Sequence, residues 1–208
     1  MRLLIVSLLP LALCLVALPA GAQVVYDNGP INGTIDAWTI NFGFAVSDSF
    51  TISGSGADLT GMAFGAWLYP GISVYSAEVV ISSSEFGGTV YSDQMLPFNQ
   101  TGCVLNQYGF NVCTETGRFF TDVNLAPGTY WMTLTATSSD GDAPVYWDEN
   151  SGPSSASENS LGTIPSESFT LFGTASSGTG GTTPEPSSAM LFASGILGLA
   201  GVMRRKLF

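Results

Sequence analysis

The chain has 208 residues, no histidine and a formal net charge of −11, which excludes Ser-His-Asp triads and histidine-ligated metal sites. Its five bases are Arg2, Arg118, Arg204, Arg205 and Lys206. Residues 23–183 therefore hold one base, no lysine and fifteen acids, a net charge of −14. The negative electrostatic field of this segment repels nucleic acid and anionic membranes, and it favours solubility or bound cations. The absence of lysine from the segment excludes Schiff-base chemistry.

Residues 1–22 have the three parts of a secretory signal peptide. Arg2 supplies the positive start, Leu3 to Leu18 form the apolar segment, and Ala20-Gly21-Ala22 is a small-residue cleavage site. We therefore predict export and a mature chain that begins at Gln23.

Residues 23–173 are predicted to form one all-β domain. The segment is rich in Thr, Ser, Val and aromatic residues, and no stretch of ten or more residues keeps a helical period. Period-two alternation predicts strands most clearly at Ser73–Ser82 and Thr129–Thr137. Further strands are predicted at Trp38–Phe44, Ser49–Ser53, Leu59–Tyr69, Gly88–Ser92, Phe119–Leu125, Pro144–Trp147 and Ser168–Phe172.

The alternation also predicts which side chains share one face of each strand. In the strand at Ser73–Ser82 the apolar face holds Tyr75, Ala77, Val79 and Ile81. In the strand at Thr129–Thr137 it holds Tyr130, Met132, Leu134 and Ala136. About ten short strands joined by turns such as Ala126-Pro127-Gly128 favour an antiparallel β-sandwich, jelly-roll-like, with an open barrel as the alternative.

Cys103 and Cys113 are the cysteines of the predicted mature chain, an even number in an oxidising compartment. They are ten residues apart and flank the turn-forming segment Asn106 to Gly109. We predict a disulfide at the base of a hairpin; two buried free thiols are the alternative.

An acidic segment suggests a calcium site. Asp140, Asp142 and Asp148, joined by Glu149, place four carboxylates in a loop and the strand end that follows. Calcium takes six to eight oxygen ligands, which suits such a cluster. Asp140-Gly141 is also a common turn sequence that needs no metal, so a solvated acidic loop is the alternative and no cofactor is required.

Aromatic side chains are the other candidates for binding. Trp131 alternates away from the predicted core face, so its ring is expected to face outward, and Trp147 adjoins the acidic segment. Exposed rings can stack on sugars while their polar edges keep hydrogen bonds. The alternative is that the aromatic residues fill the core between two sheets.

The C-terminal part begins with a flexible Gly/Ser/Thr linker at 174–183. Pro184, Glu185 and Pro186 then precede an uncharged apolar run, 187–203. At about 1.5 Å per residue the run forms a helix of about 25 Å, which is within the range that crosses a bilayer. The basic residues that follow it are Arg204, Arg205 and Lys206. They predict a single-pass transmembrane helix with a cytoplasmic C-terminus.

Residues 184–208 resemble the PEP-CTERM sorting signal of exopolysaccharide-producing bacteria. The resemblance rests on Pro184-Glu185-Pro186, the Gly-spaced apolar segment and the basic end. It implies that the partner is an exosortase, a membrane-embedded cysteine peptidase that processes the chain near the PEP motif. It further implies residence in the inner membrane before processing and the cell surface or extracellular space afterwards.

The domain itself shows no catalytic motif: no nucleophile elbow, phosphate loop or dinucleotide fingerprint is present in the sequence. We therefore predict no catalytic residues. The resemblance to the sorting signal implies a non-enzymatic, exported structural or extracellular-matrix-associated protein. The alternative is a carbohydrate-binding module for exopolysaccharide, which requires exposed aromatic rings in a row. A glycan-active enzyme is a more distant alternative, and it requires paired carboxylates in a cleft.

Overall fold

The computed structural model describes residues 23–176. The predicted signal peptide, the apolar run 187–203 and the PEP motif lie outside the described residues. Within residues 23–176, no helix is long and apolar enough to cross a membrane.

The described residues form twelve strands and one short 3-10 turn, Asp140–Asp142. The strands are β1 (Gln23–Asp27), β2 (Ala37–Thr39), β3 (Ala45–Ile52), β4 (Ala57–Leu68), β5 (Val74–Ser84), β6 (Gly87–Leu105), β7 (Asn111–Leu125), β8 (Gly128–Ser139), β9 (Tyr146–Asp148), β10 (Ala156–Glu158), β11 (Gly162–Ile164) and β12 (Phe169–Ala175). Strand β12 thus extends two residues past the predicted domain end at 173.

All pairs of these strands are antiparallel, and they form two sheets that share β6. The first sheet has the order β1-β12-β4-β7 and continues into the second half of β6, with β9 beside the end of β4 and β2 beside β9. The second sheet has the order β6-β5-β8-β3-β10-β11. Strand β6 changes sheets between Pro97, which pairs with Ser76, and Phe98, which pairs with Gly117. The predicted all-β, antiparallel architecture is confirmed, and it is sandwich-like.

The core lies between the inner faces of the two sheets. Its largest fully buried side chains are Trp147, Phe50, Phe64 and Phe169. Neighbouring rings of this group are tilted or edge-on, with centroids 5.8–6.4 Å apart, the arrangement that ring quadrupoles favour. Each such side chain stabilises the fold by about 1.5–3 kcal/mol through burial.

Two residues do not lie on the strand face predicted for them, and both errors have the same cause. Tyr75 and Ala136 were expected on the apolar faces of β5 and β8, but both are exposed. The pairing of β5 with β8 shifts on either side of Ser76, and Ala136 has a positive φ of 46°. Each bulge inserts a residue and reverses the inward and outward sides beyond it.

Strand β6 is much longer than the predicted segment Gly88–Ser92, and β1, β10 and β11 were not predicted. Most side chains of β6 are exposed or half-buried, with only Ser92 and Leu96 buried. A strand with so few inward side chains has no period-two pattern, so hydrophobicity gave no signal for it.

Candidate functional site

A hairpin at the end of the first sheet carries much of the candidate site. Strands β6 and β7 are linked by the disulfide between Cys103 and Cys113, as the sequence predicts. The turn between them is held by the Asn106 side chain, whose Oδ1 accepts hydrogen bonds from the backbone N–H groups of Tyr108 and Phe110, both at 3.0 Å. These contacts fix the direction of the two aromatic residues of the turn.

Four aromatic side chains form a surface that is open to solvent. We call the set Tyr69, Tyr108, Phe110 and Tyr146 the aromatic surface. Tyr69 follows β4 and lies 5.0 Å from Phe110 between ring centroids, while Tyr146 of β9 lies 5.6 Å from Phe110. Tyr69 and Tyr108 are exposed, and the other two are half-buried. Rings with one free face and one packed face can stack on a flat ligand.

The buried Trp67 packs beneath the aromatic surface. The Trp67 ring stacks on Tyr108 at 5.6 Å and contacts Phe110 at 5.8 Å. Its Nε1 donates a hydrogen bond of 2.6 Å to Oδ1 of Asp148. The Asp148 carboxylate also accepts the backbone N–H groups of Asn32 and Gly33, both at 2.9 Å. Burial raises the pKa of Asp148, although these three donors stabilise its charged form.

A groove of about 540 Å³ lies beside the aromatic surface, along the same hairpin. Its walls include the polar side chains of Asn32, Thr34, Asn106 and Gln107 and the exposed apolar side chains of Val104 and Leu105. The Tyr108 hydroxyl lies 3.4 Å from the backbone oxygen of Thr34, so the groove adjoins the aromatic surface. The hairpin therefore presents stacking rings next to amide and hydroxyl groups.

The two tryptophans chosen from the sequence do not belong to this surface. Trp147 is fully buried in the core, so the prediction that its ring is exposed is wrong. Its Nε1 donates a hydrogen bond of 2.8 Å to the backbone oxygen of Ser168. Trp147 lies on the core face of β9, whereas Tyr146 and Asp148 lie on the opposite face, where Asp148 is buried beneath the aromatic surface. Trp131 is half-buried opposite Ser49 and Ser82, and within residues 23–176 it pairs with no other aromatic ring.

The structure does not bring the predicted calcium ligands together. Asp140 and Asp142 lie in the 3-10 turn, where a hydrogen bond from the Tyr75 hydroxyl lowers the pKa of Asp140. Asp148 is instead buried beneath the aromatic surface. Within residues 23–176, no group of three or more acidic or cysteine side chains has the arrangement of a metal site.

A second polar cluster, which the sequence analysis did not single out, lies inside the sandwich. Asp48 of β3 and Glu167, which precedes β12, are both fully buried, with Asn28 beside them. Burial raises the pKa of Asp48 to about 6 and that of Glu167 well above its usual range, helped in Glu167 by the negative charge of Asp48. Asp48 alternates with Val46 and Phe50, so an acid at an apolar position was the available signal.

Comparison with known proteins identifies only the C-terminal end of the chain. No curated protein and no solved structure matches the chain. The family model of the PEP-CTERM protein-sorting motif matches residues 182–206. That motif indicates export and sorting by an exosortase to the cell surface. Residues 182–206 of the chain thus form a PEP-CTERM protein-sorting motif.

Proposed function

We propose that the protein is a non-enzymatic, matrix-associated component of the cell surface, which binds exopolysaccharide through the aromatic surface and the adjoining groove. The observation that carries the proposal is the solvent-open set of rings packed over Trp67. The sorting motif supports the location, because an exosortase substrate is delivered to the cell surface.

We assign the sandwich to the jelly-roll class on its strand pairs. The pairs β1 with β12, β3 with β8, β4 with β7 and β5 with β6 are nested in the sequence, from the first and last strands inward to two consecutive strands. A long hairpin wound around a core produces this nesting. Lectin domains are among the many proteins with a jelly roll, so the class is compatible with sugar binding, and the support for sugar binding comes from the aromatic surface.

The aromatic surface suits a neutral or weakly charged polysaccharide. Its rings provide flat apolar faces, while the Tyr69 and Tyr108 hydroxyls and the amides of Asn106 and Gln107 provide hydrogen-bond groups. The domain carries one base against fifteen acids, so a polyanion would be repelled. The disulfide and the Asn106 contacts hold the turn in place before binding, which lowers the ordering cost.

The carboxylate nearest the rings is poorly placed for glycoside hydrolysis. Asp148 is buried, and its two oxygens already accept three hydrogen bonds. A glycosidase needs two carboxyl groups facing the bound sugar across a cleft. This arrangement supports binding over catalysis.

Retention of the exported protein by its own exopolysaccharide in affinity electrophoresis tests the proposal. Tyr69→Ala and Tyr108→Ala should each weaken binding, by about 30-fold if each ring contributes about 2 kcal/mol as aromatic hot spots do. Tyr75→Ala is the matched control, because Tyr75 is 54% exposed and Tyr108 is 53% exposed but Tyr75 lies on the second sheet. Equal retention of all three variants and the wild-type protein would contradict the proposal.

A further inference from the structure

The buried pair Asp48 and Glu167 has no compensating base. Arg118 is the sole base of residues 23–176, and it is exposed on β7. Asp48 and Glu167 are each 0% exposed. A buried charge that lacks both a partner ion and hydrogen bonds costs several kcal/mol. The pair must therefore either hold protons or bind a positive charge that the described residues do not supply.

Three oxygens of this pair also lack any hydrogen-bond donor. Both Glu167 carboxylate oxygens and Oδ1 of Asp48 are buried without a partner. The other Asp48 oxygen, Oδ2, accepts the Glu167 backbone N–H at 2.7 Å, which places the two residues side by side. Buried polar atoms in native proteins nearly always have a partner, so three orphan oxygens in one place point to a missing ligand.

Further oxygens of different chemical types surround the pair. The Asn28 side-chain nitrogen lies within 2.6–3.1 Å of Oδ2 of Asp48, the hydroxyls of Ser154 and Ser166, and the backbone oxygen of Glu167. An amide nitrogen has two hydrogens, so these four oxygens retain spare lone pairs. The two hydroxyls are 2.7 Å apart, and Ser154 is half-buried, which gives the cluster a route to solvent.

We propose that Asp48 and Glu167 bind one calcium ion inside the sandwich, with hydroxyl and backbone oxygens from the segments at Ser154 and Ser166 completing the ligand set. Two carboxylates balance one divalent charge, so the site does not require a third acid. The ligands are all oxygens of mixed type, which calcium accepts in flexible geometry and magnesium does not. The ion would join β3 of the second sheet to the segment that precedes β12 of the first.

Metal content and thermal denaturation of the exported protein test this site. We expect about one calcium ion per chain in protein isolated without chelator, measured by atomic emission. After removal of metal under mild denaturant and refolding, calcium should raise the melting temperature with saturation. At a hundredfold excess over the dissociation constant, the rise should be about 5–10 °C. Magnesium should act less strongly, and sodium chloride at equal ionic strength should act weakly and without saturation.

Variants separate this site from the general acidity of the domain. The double variant Asp48→Asn and Glu167→Gln keeps the shape of both side chains and removes their charge, so it should fold without calcium and lose the saturable response. Asp140→Asn is the control, because Asp140 lies in the exposed 3-10 turn, and it should keep that response. A protein without bound calcium, equal effects of calcium and magnesium, or a calcium response retained in the double variant would each overturn the proposal.

Discussion

Replacing Glu115 with glutamine should remove part of the pH dependence of the free energy of unfolding. Glu115 faces the core from β7, opposite Phe64 and Gln100, and is fully buried. Neither of its carboxylate oxygens has a hydrogen-bond partner. Burial accordingly raises its pKa from 4.5 to about 7.

The direction of this pH dependence follows from proton binding to Glu115 in the folded and the unfolded chain. Between pH 4.5 and about 7 the folded chain keeps the Glu115 proton and the unfolded chain releases it, so stability falls as the pH rises. Above pH 7 both states are ionised and the loss is constant. At 1.36 kcal/mol per pH unit, the rise in pKa corresponds to about 3 kcal/mol.

Urea denaturation of wild-type protein and Glu115→Gln at pH 5 and pH 8 measures this loss. We expect the variant to be more stable by about 3 kcal/mol at pH 8 and by less than about 1 kcal/mol at pH 5. At pH 5 the chain is still above its pI of about 4.1. The other acids are the same in both proteins, so their titration cancels in the difference between the two free energies of unfolding. Glu85→Gln, at an exposed position, is the control and should change stability by less than about 0.5 kcal/mol. The same stability difference at both pH values would refute the reasoning.

The disulfide and the two chain ends give further predictions. Cys103→Ala should lower the free energy of unfolding by about 2.5–3 kcal/mol without abolishing folding, since the opened loop is short and the core is large; an unchanged melting temperature would contradict this. The intact mass of the exported protein should lack residues 1–22 and most or all of 187–203. A secreted form that still ends at Phe208 would show that exosortase processing does not occur.

The sequence predicted the strands with regular inward and outward alternation and missed the features that depend on pairing partners. Strands β5 and β8 were predicted because apolar and polar residues alternate along most of their length. The bulges at Ser76 and Ala136 are properties of the pairing of β5 with β8, so Tyr75 was placed on the wrong face.

The candidate site was harder to predict because its residues come together only in the folded chain. Tyr69, Tyr108 and Tyr146 belong to a strand end, a turn and a short strand that are distant in sequence. Trp147 was chosen because it adjoins the acidic segment, and a strand of three residues is too short for alternation to show that its ring faces the core. Asp48 and Glu167 are 119 residues apart, and proximity in sequence led instead to Asp140 and Asp142.

Strand β4 separates the point where the chain leaves the domain from the aromatic surface. Ala57, at one end of β4, pairs with Ala175, and Trp67, ten residues on, lies under the rings. At about 3.3 Å per residue, the two ends are about 33 Å apart. Tension between a bound polymer and the C-terminal segment would therefore act along β4 and β12. Seven residue pairs join these strands, and a force parallel to the strands would load all seven pairs at the same time. A force perpendicular to the strands would instead break the pairs one after another.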